Sequence, residues 1–194
     1  MSAAPQPSPQ KTTRAAALLR WAFLAFVVAA VVAADQLSKA YATAHLQWGE
    51  SWIPLEAVRP FFRFTLTHNT GAAFGLFPQG GTLFLLIALV VAAVILYYYR
   101  QLPPQAWLVR LALGLQLGGA LGNVVDRLRQ GYVVDFLEVP HWPVFNVADS
   151  CIVVGVALLG WVLWREERRA ARAAEANPEG EDYAESSQQN ALSG

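Results

Sequence analysis

The chain has 194 residues, of which 55% are hydrophobic and only 14% charged, and its 14 basic side chains balance 14 acidic ones. So little charge excludes an intrinsically disordered chain, and the zero balance argues against a nucleic-acid partner, which calls for a basic surface. The single cysteine, Cys151, excludes an internal disulfide framework and any multi-cysteine zinc site.

Residues 1–13 are Pro-, Ser-, Ala- and Gln-rich and are expected to form an unstructured tail. About 20 apolar residues in helical form cross a hydrocarbon core. Four runs reach or approach that length, at about 15–34, 81–99, 106–122 and 144–164. None carries the polar stripe of a soluble surface helix, so all four are expected to be membrane spans. Seven Trp, six Tyr and ten Phe agree, because aromatic rings anchor at the bilayer interfaces. The first run also ends with small residues, Val32 and Ala34, so a cleaved leader is an alternative reading of it.

Nine basic residues fall at one side (Lys11, Arg14, Arg20, Arg100, Arg110, Arg165, Arg168, Arg169, Arg172), against five on the other (Lys39, Arg59, Arg63, Arg127, Arg129). Basic residues stay on the cytoplasmic side, so both termini are expected there, with Arg110 snorkelling to that interface. The extracytoplasmic connections are then 35–80 and 123–143, followed after residue 172 by a second polar tail, 173–194.

Nearly every unusual polar residue falls in those two connections or the helix ends beside them. Asp35 and Lys39 are four apart, so on a continuing helix they share a face in the favourable acid-first order; they read as structural or substrate-positioning. Ser51–Leu55 and Phe61–Thr67 are strand-like, the second alternating Phe62, Phe64 and Leu66 with Arg63, Thr65 and Thr67, and a small sheet on the membrane surface is expected. Asn69-Thr70-Gly71 predicts a turn that Gly71 eases, and Asn69 could bond a peptide backbone.

The third helix should run on to about Gln130 and stop at Gly131, placing Asn123, Asp126 and Arg127 on one face. Asp126 beside Arg127 reads as a structural pair. Asp135 is different: within Tyr132-Val133-Val134-Asp135-Phe136-Leu137 no local charge partners it, and desolvation raises a carboxyl pKa towards the range useful to a general acid. Asn146 as N-cap of the fourth helix puts Asp149 at its N3 position, where free amides favour a charged carboxylate; a plain capping box is the alternative.

Residues 137–144, broken by Pro140 and Pro143, can fold back and bring Asp135 and Asp149 to one place. Two carboxylates that meet cannot both ionise, so the pair would share a proton, one activating water and the other polarising a carbonyl. Competing hydrolytic patterns are missing from the sequence: there is no His-Glu-x-x-His, no Gly-x-Ser-x-Gly and no phosphate loop, and His45, His68 and His141 are scattered. No metal or cofactor is therefore expected. A small transporter or assembly subunit with a proton path through Asp126, Asp135 and Asp149 is the competing reading, although such acids should be spread along a route rather than gathered at one interface.

These segments together, Asp35-Gln36-Leu37-Ser38-Lys39, Asn69-Thr70-Gly71-Ala72-Ala73-Phe74, Gly122-Asn123-Val124-Val125-Asp126-Arg127, Val133-Val134-Asp135-Phe136 and Phe145-Asn146-Val147-Ala148-Asp149, resemble the bacterial lipoprotein signal peptidases, or signal peptidase II. The resemblance spans residues 35–155. It implies a four-helix membrane aspartic endopeptidase with a small surface sheet cradling substrate and a mobile lid. Such an enzyme cuts prolipoproteins just before a diacylglyceryl-modified cysteine. By that likeness Asp135 and Asp149 are catalytic, while Asp35, Lys39, Asn69, Gly71, Asn123, Asp126, Arg127 and Asn146 support them or hold substrate. Membrane lipids and prolipoproteins are the implied partners, the bacterial inner membrane the implied location, and a monomer is expected.

Overall fold

The computed structural model describes residues 14–71 and 80–176. The expectations for tail residues 1–13 and 177–194, and for the end of the Asn69–Phe74 motif, lie outside the described residues. In chain order the elements are α1 (Arg14–His45), β1 (Ser51–Trp52), a 3-10 turn (Glu56–Val58), β2 (Arg63–Asn69), α2 (Gly81–Tyr99), α3 (Trp107–Gln130), β3 (Val133–Glu138) and α4 (Val147–Ala176). All four α-helices are long and apolar enough to cross a membrane.

Three helices, α1, α3 and α4, outrun the apolar stretches that mark them, α3 continuing to Gln130 as expected. At 1.5 Å per residue the 32 residues of α1 extend about 48 Å, well beyond a hydrocarbon core of about 30 Å. Its last turns, from Asp35 onward, therefore stand at and beyond the polar boundary, against the sheet. At the other boundary α4 continues past Trp164 as a charged helix to Ala176, so residues 173–176 are helical.

The central helix is α3, which packs on each of the other three. Gly114, Gly118 and Gly122, four apart, form a seam against α1: a Cβ on them would meet Val27, Val31 and Asp35 at 2.8, 2.7 and 2.6 Å. On another face Gly119 meets the Ala148 carbonyl of α4, while Gly155 of α4 meets the Ala112 carbonyl at 2.7 Å. Within lipid no hydrophobic force draws helices together, so close backbone approach over small residues supplies the contact. Gly122→Val should therefore displace the Asp35 carboxylate and cost about 1–3 kcal/mol. Gly160→Ala, where a Cβ meets nothing within 4 Å, should leave stability unchanged or slightly raised; thermal unfolding in detergent compares the two.

Arg110 reaches back to the chain before α3, but its guanidinium ends among protein groups rather than in solvent. Only 4% exposed, it folds over the Tyr99 ring, 4.8 Å from its centroid, and donates to the carbonyls of Leu102 and Pro103 at 2.8 and 3.3 Å. A buried guanidinium is tolerated there because the carbonyls of the α2–α3 connection lie outside the helical ladders and can accept from it.

At the opposite boundary lies a three-stranded antiparallel sheet, ordered β1-β2-β3. Its first strand is only Ser51–Trp52, shorter than the Ser51–Leu55 expected, because Pro54 cannot donate to a ladder and the 3-10 turn follows. The second begins two residues later than its alternation suggests and carries a bulge between Phe64 and Thr67. One sheet face packs Leu66, Val134 and Phe136 on Ala42 of α1. The alternate residues of β3, Asp135 among them, face the other way.

Candidate active site

Chain reversal brings the acids together. After Glu138 the chain loops out through Pro140, His141 in the left-handed region (φ 67°) and Pro143, then returns. Phe145 exchanges hydrogen bonds with Leu137 at 2.8 and 2.9 Å, and its carbonyl also accepts from the Phe136 N–H at 3.0 Å. This closure sets the start of α4 beside β3. There Asn146 is the N-cap: its Oδ1 accepts from the Asp149 N–H at 2.9 Å, and Asp149 Oδ2 accepts from the Asn146 N–H at 3.4 Å. This is a capping box with Asp at N3.

The same Asn146 also serves Asp135. Its amide, fully buried, donates to Asp135 Oδ1 at 2.7 Å and lies 3.1 Å from Asn123 Oδ1. Asn123 in turn donates to Asp149 Oδ1 at 2.7 Å. Asn69, from β2, donates to Asp135 Oδ2 at 3.1 Å, and its own Oδ1 accepts from the Gly71 N–H at 3.0 Å, which closes the expected turn as an Asx turn. Capping and bridging are thus two uses of one asparagine, and the capping-box reading does not compete with a dyad. Burial, then the charge of Asp149, push the Asp135 carboxyl from its ordinary 3.8 up to about 7, against the pull of Asn69 and Asn146.

Both acid-bearing elements hang from one ammonium. Lys39, 3% exposed, spends its three protons on Asp35 Oδ2 at 2.8 Å, Asp126 Oδ2 at 2.8 Å and Asn123 Oδ1 at 3.0 Å. Asp35 Oδ1 accepts the Ala148 N–H of α4 at 3.0 Å, and Asp126 Oδ2 accepts the Val134 N–H of β3 at 3.1 Å. Each carboxylate therefore pins the element that carries one member of the pair. Asp126 is ion-paired, but with Lys39 rather than Arg127: adjacent helical residues diverge by about 100°, whereas α1 supplies an ammonium directly across the seam.

Arg127 donates to the Asn123 carbonyl at 3.5 Å and lies over the Phe84 ring, 5.8 Å from its centroid. Sequence reasoning missed Gln36, which donates to Asp126 Oδ1 at 2.8 Å and lies 3.2 Å from Asp35 Oδ2. The signal was its position beside Asp35, on the flank of α1 that meets α3. Among the described residues no cluster of three His, Cys, Asp or Glu side chains could hold a metal ion.

The model of the signal peptidase (SPase) II family matches residues 27–165. The lipoprotein signal peptidase of Moorella thermoacetica is 52% identical over 133 residues, covering 69% of this chain and 87% of its own. That of Pelotomaculum thermopropionicum is 43% identical over 150 residues, covering 77% and 97%. Two solved structures described as bacterial membrane enzymes superpose with TM-scores of 0.69 and 0.66 at 28% and 29% identity, covering 75% and 73% of this chain and 90% and 92% of theirs.

Proposed function

The chain belongs to the signal peptidase II family and removes signal peptides from prolipoproteins at the membrane, and from that premise we propose that Asp135 and Asp149 are the catalytic pair. The observation that supports this reading is the Asn146–Asn123 bridge joining two carboxyls of which one, Asp135, is pushed to about 7. Asp149, at the amide-rich start of a helix, is the ionised member. Its carboxylate takes a proton from water as the oxygen attacks the scissile carbonyl, while Asp135 protonates the carbonyl oxygen. Collapse of the resulting diol returns a proton to the leaving nitrogen, breaks the peptide bond and regenerates the shared-proton pair. Asn69, Gly71 and Arg127 line the approach as substrate contacts, and Asp35, Lys39, Asn123, Asp126 and Asn146 position the pair.

Residues 14–172 act as the peptidase domain, in the bacterial inner membrane, with both termini cytoplasmic and the pair near the extracytoplasmic face. The balance of basic residues between the two boundaries supports this orientation. The scissile bond immediately precedes a diacylglyceryl-modified cysteine, whose chains remain in lipid and deliver the peptide to the interface. The chain works as a monomer and without a metal. Incubating the purified protein with a diacylglyceryl-modified prolipoprotein tests the reading: cleavage should occur before that cysteine and persist in EDTA. Equal cleavage of an unmodified precursor, or loss of activity with chelator, refutes it.

The pH dependence has a defined sign. Asp135 has a folded pKa above its unfolded value, so the folded chain holds a proton that the unfolded chain releases from about pH 4. The stability contributed by that proton is complete below the unfolded pKa and is lost as pH rises through about 7, at no more than about 1.4 kcal/mol per pH unit. Cleavage should decline above the same pH as the general acid ionises. Unfolding measured at pH 5 and 8 should show this slope in the wild type and not in Asp135→Asn.

A further inference from the structure

Among the described residues, the end of the bundle opposite the catalytic pair carries a run of arginines. At 1.5 Å per residue, Arg165 stands about 24 Å along α4 from Asp149, where the apolar stretch ends at Trp164. Arg165, Arg168, Arg169 and Arg172 follow at spacings of three and four, which sets them on one helix face, with Glu166 and Glu167 off that stripe and Glu175, three beyond Arg172, at its far end. Among the described residues none of the four arginines has a carboxylate within ion-pair distance. Two of them, Arg165 and Arg169, border a cavity of about 210 Å³ between α4 and the start of α3; its other walls include Trp107, Trp161, Val162 and Glu166. Arg165 lies over the Trp161 ring, 5.4 Å from its centroid, so an aromatic wall holds the cation at the rim.

We propose that this cavity binds the headgroup of an anionic membrane phospholipid. Its chemistry is amphiphilic: two guanidinium groups, offset by one glutamate, suit a phosphate in a bidentate manner, while the tryptophans and Val162 lead towards the hydrocarbon and suit the first carbons of a lipid. A water-soluble anion would use the arginines and leave the apolar walls wet. The volume accommodates a headgroup but not a whole lipid, whose chains then lie along the exposed flank of α4 formed by Val153, Val154 and Trp161.

Native mass spectrometry of the full-length protein, titrated with phosphatidylglycerol, phosphatidylcholine or water-soluble glycerol phosphate, tests the site. Phosphatidylglycerol should bind in preference to both others. The double substitution Arg165→Gln/Arg169→Gln should weaken it roughly 30-fold, from about fivefold per arginine. Arg168→Gln/Arg172→Gln removes equal charge from the same stripe but spares the cavity, and should weaken it less than fivefold. Prolipoprotein cleavage in phosphatidylcholine should be unchanged in both variants. Equal losses in the two doubles would mean diffuse attraction and overturn the proposal, as would glycerol phosphate binding as tightly as the lipid. Should the first double fail to fold, Arg169→Gln alone provides the same test at about a fivefold loss.

Discussion

Asp135→Asn and Asp149→Asn should each reduce prolipoprotein cleavage by at least about 10³-fold while leaving the protein folded. The size follows from the proposed role: a positioned acid or base contributes about 10²–10⁴-fold, and the charge of Asp149 also raises the Asp135 carboxyl. Asparagine keeps the shape and one acceptor oxygen, so Asn123 keeps its bond to residue 149, whereas residue 135 keeps one of the two bonds donated by Asn146 and Asn69. Neutralising Asp135 removes a repulsion that offsets the lost bond, and its variant should melt close to the wild type at pH 8. Single-turnover cleavage with matched unfolding curves measures both. An asparagine variant that cleaves within tenfold of wild type defeats the dyad.

Lys39→Met should destabilise the protein by about 3–5 kcal/mol, because it strands two buried carboxylates that had one cation between them. Asp35 and Asp126 then repel across the α1–α3 seam, and they are the groups holding the Ala148 and Val134 amides. Activity should fall with stability, since α4 and β3 lose their common anchor. Asp126→Asn should be milder: it leaves Lys39 a neutral pair with Asp35 and keeps an acceptor for Val134. Unfolding of both variants in detergent decides the matter; if Lys39→Met proves as stable as Asp126→Asn, Lys39 is not the hub that its distances describe.

The four spans were legible without coordinates because a hydrocarbon core imposes one simple demand, about 20 apolar residues in a row, and local composition meets it or fails. Gly131 as the end of α3 and Asn146 with Asp149 as a capping box were legible for a similar reason: each depends on residues within one turn. The pairing of Asp35 with Lys39 belongs to the same class, being a contact between successive turns of one helix.

What only the tertiary structure decided is long-range. Asp126 looks to Lys39, 87 positions away in the numbering, and not to its neighbour Arg127. Arg110 is held by a carbonyl of the α2–α3 connection that a helix pattern cannot reveal. Gln36 joins the network because the glycines of α3 let α1 approach closely. Residue types and local spacing selected the acids, since burial and helix ends act over a few residues. Which groups share a cation, and which elements lie side by side, depends on packing across a glycine seam and on a loop that doubles back, and those are properties of the assembled bundle.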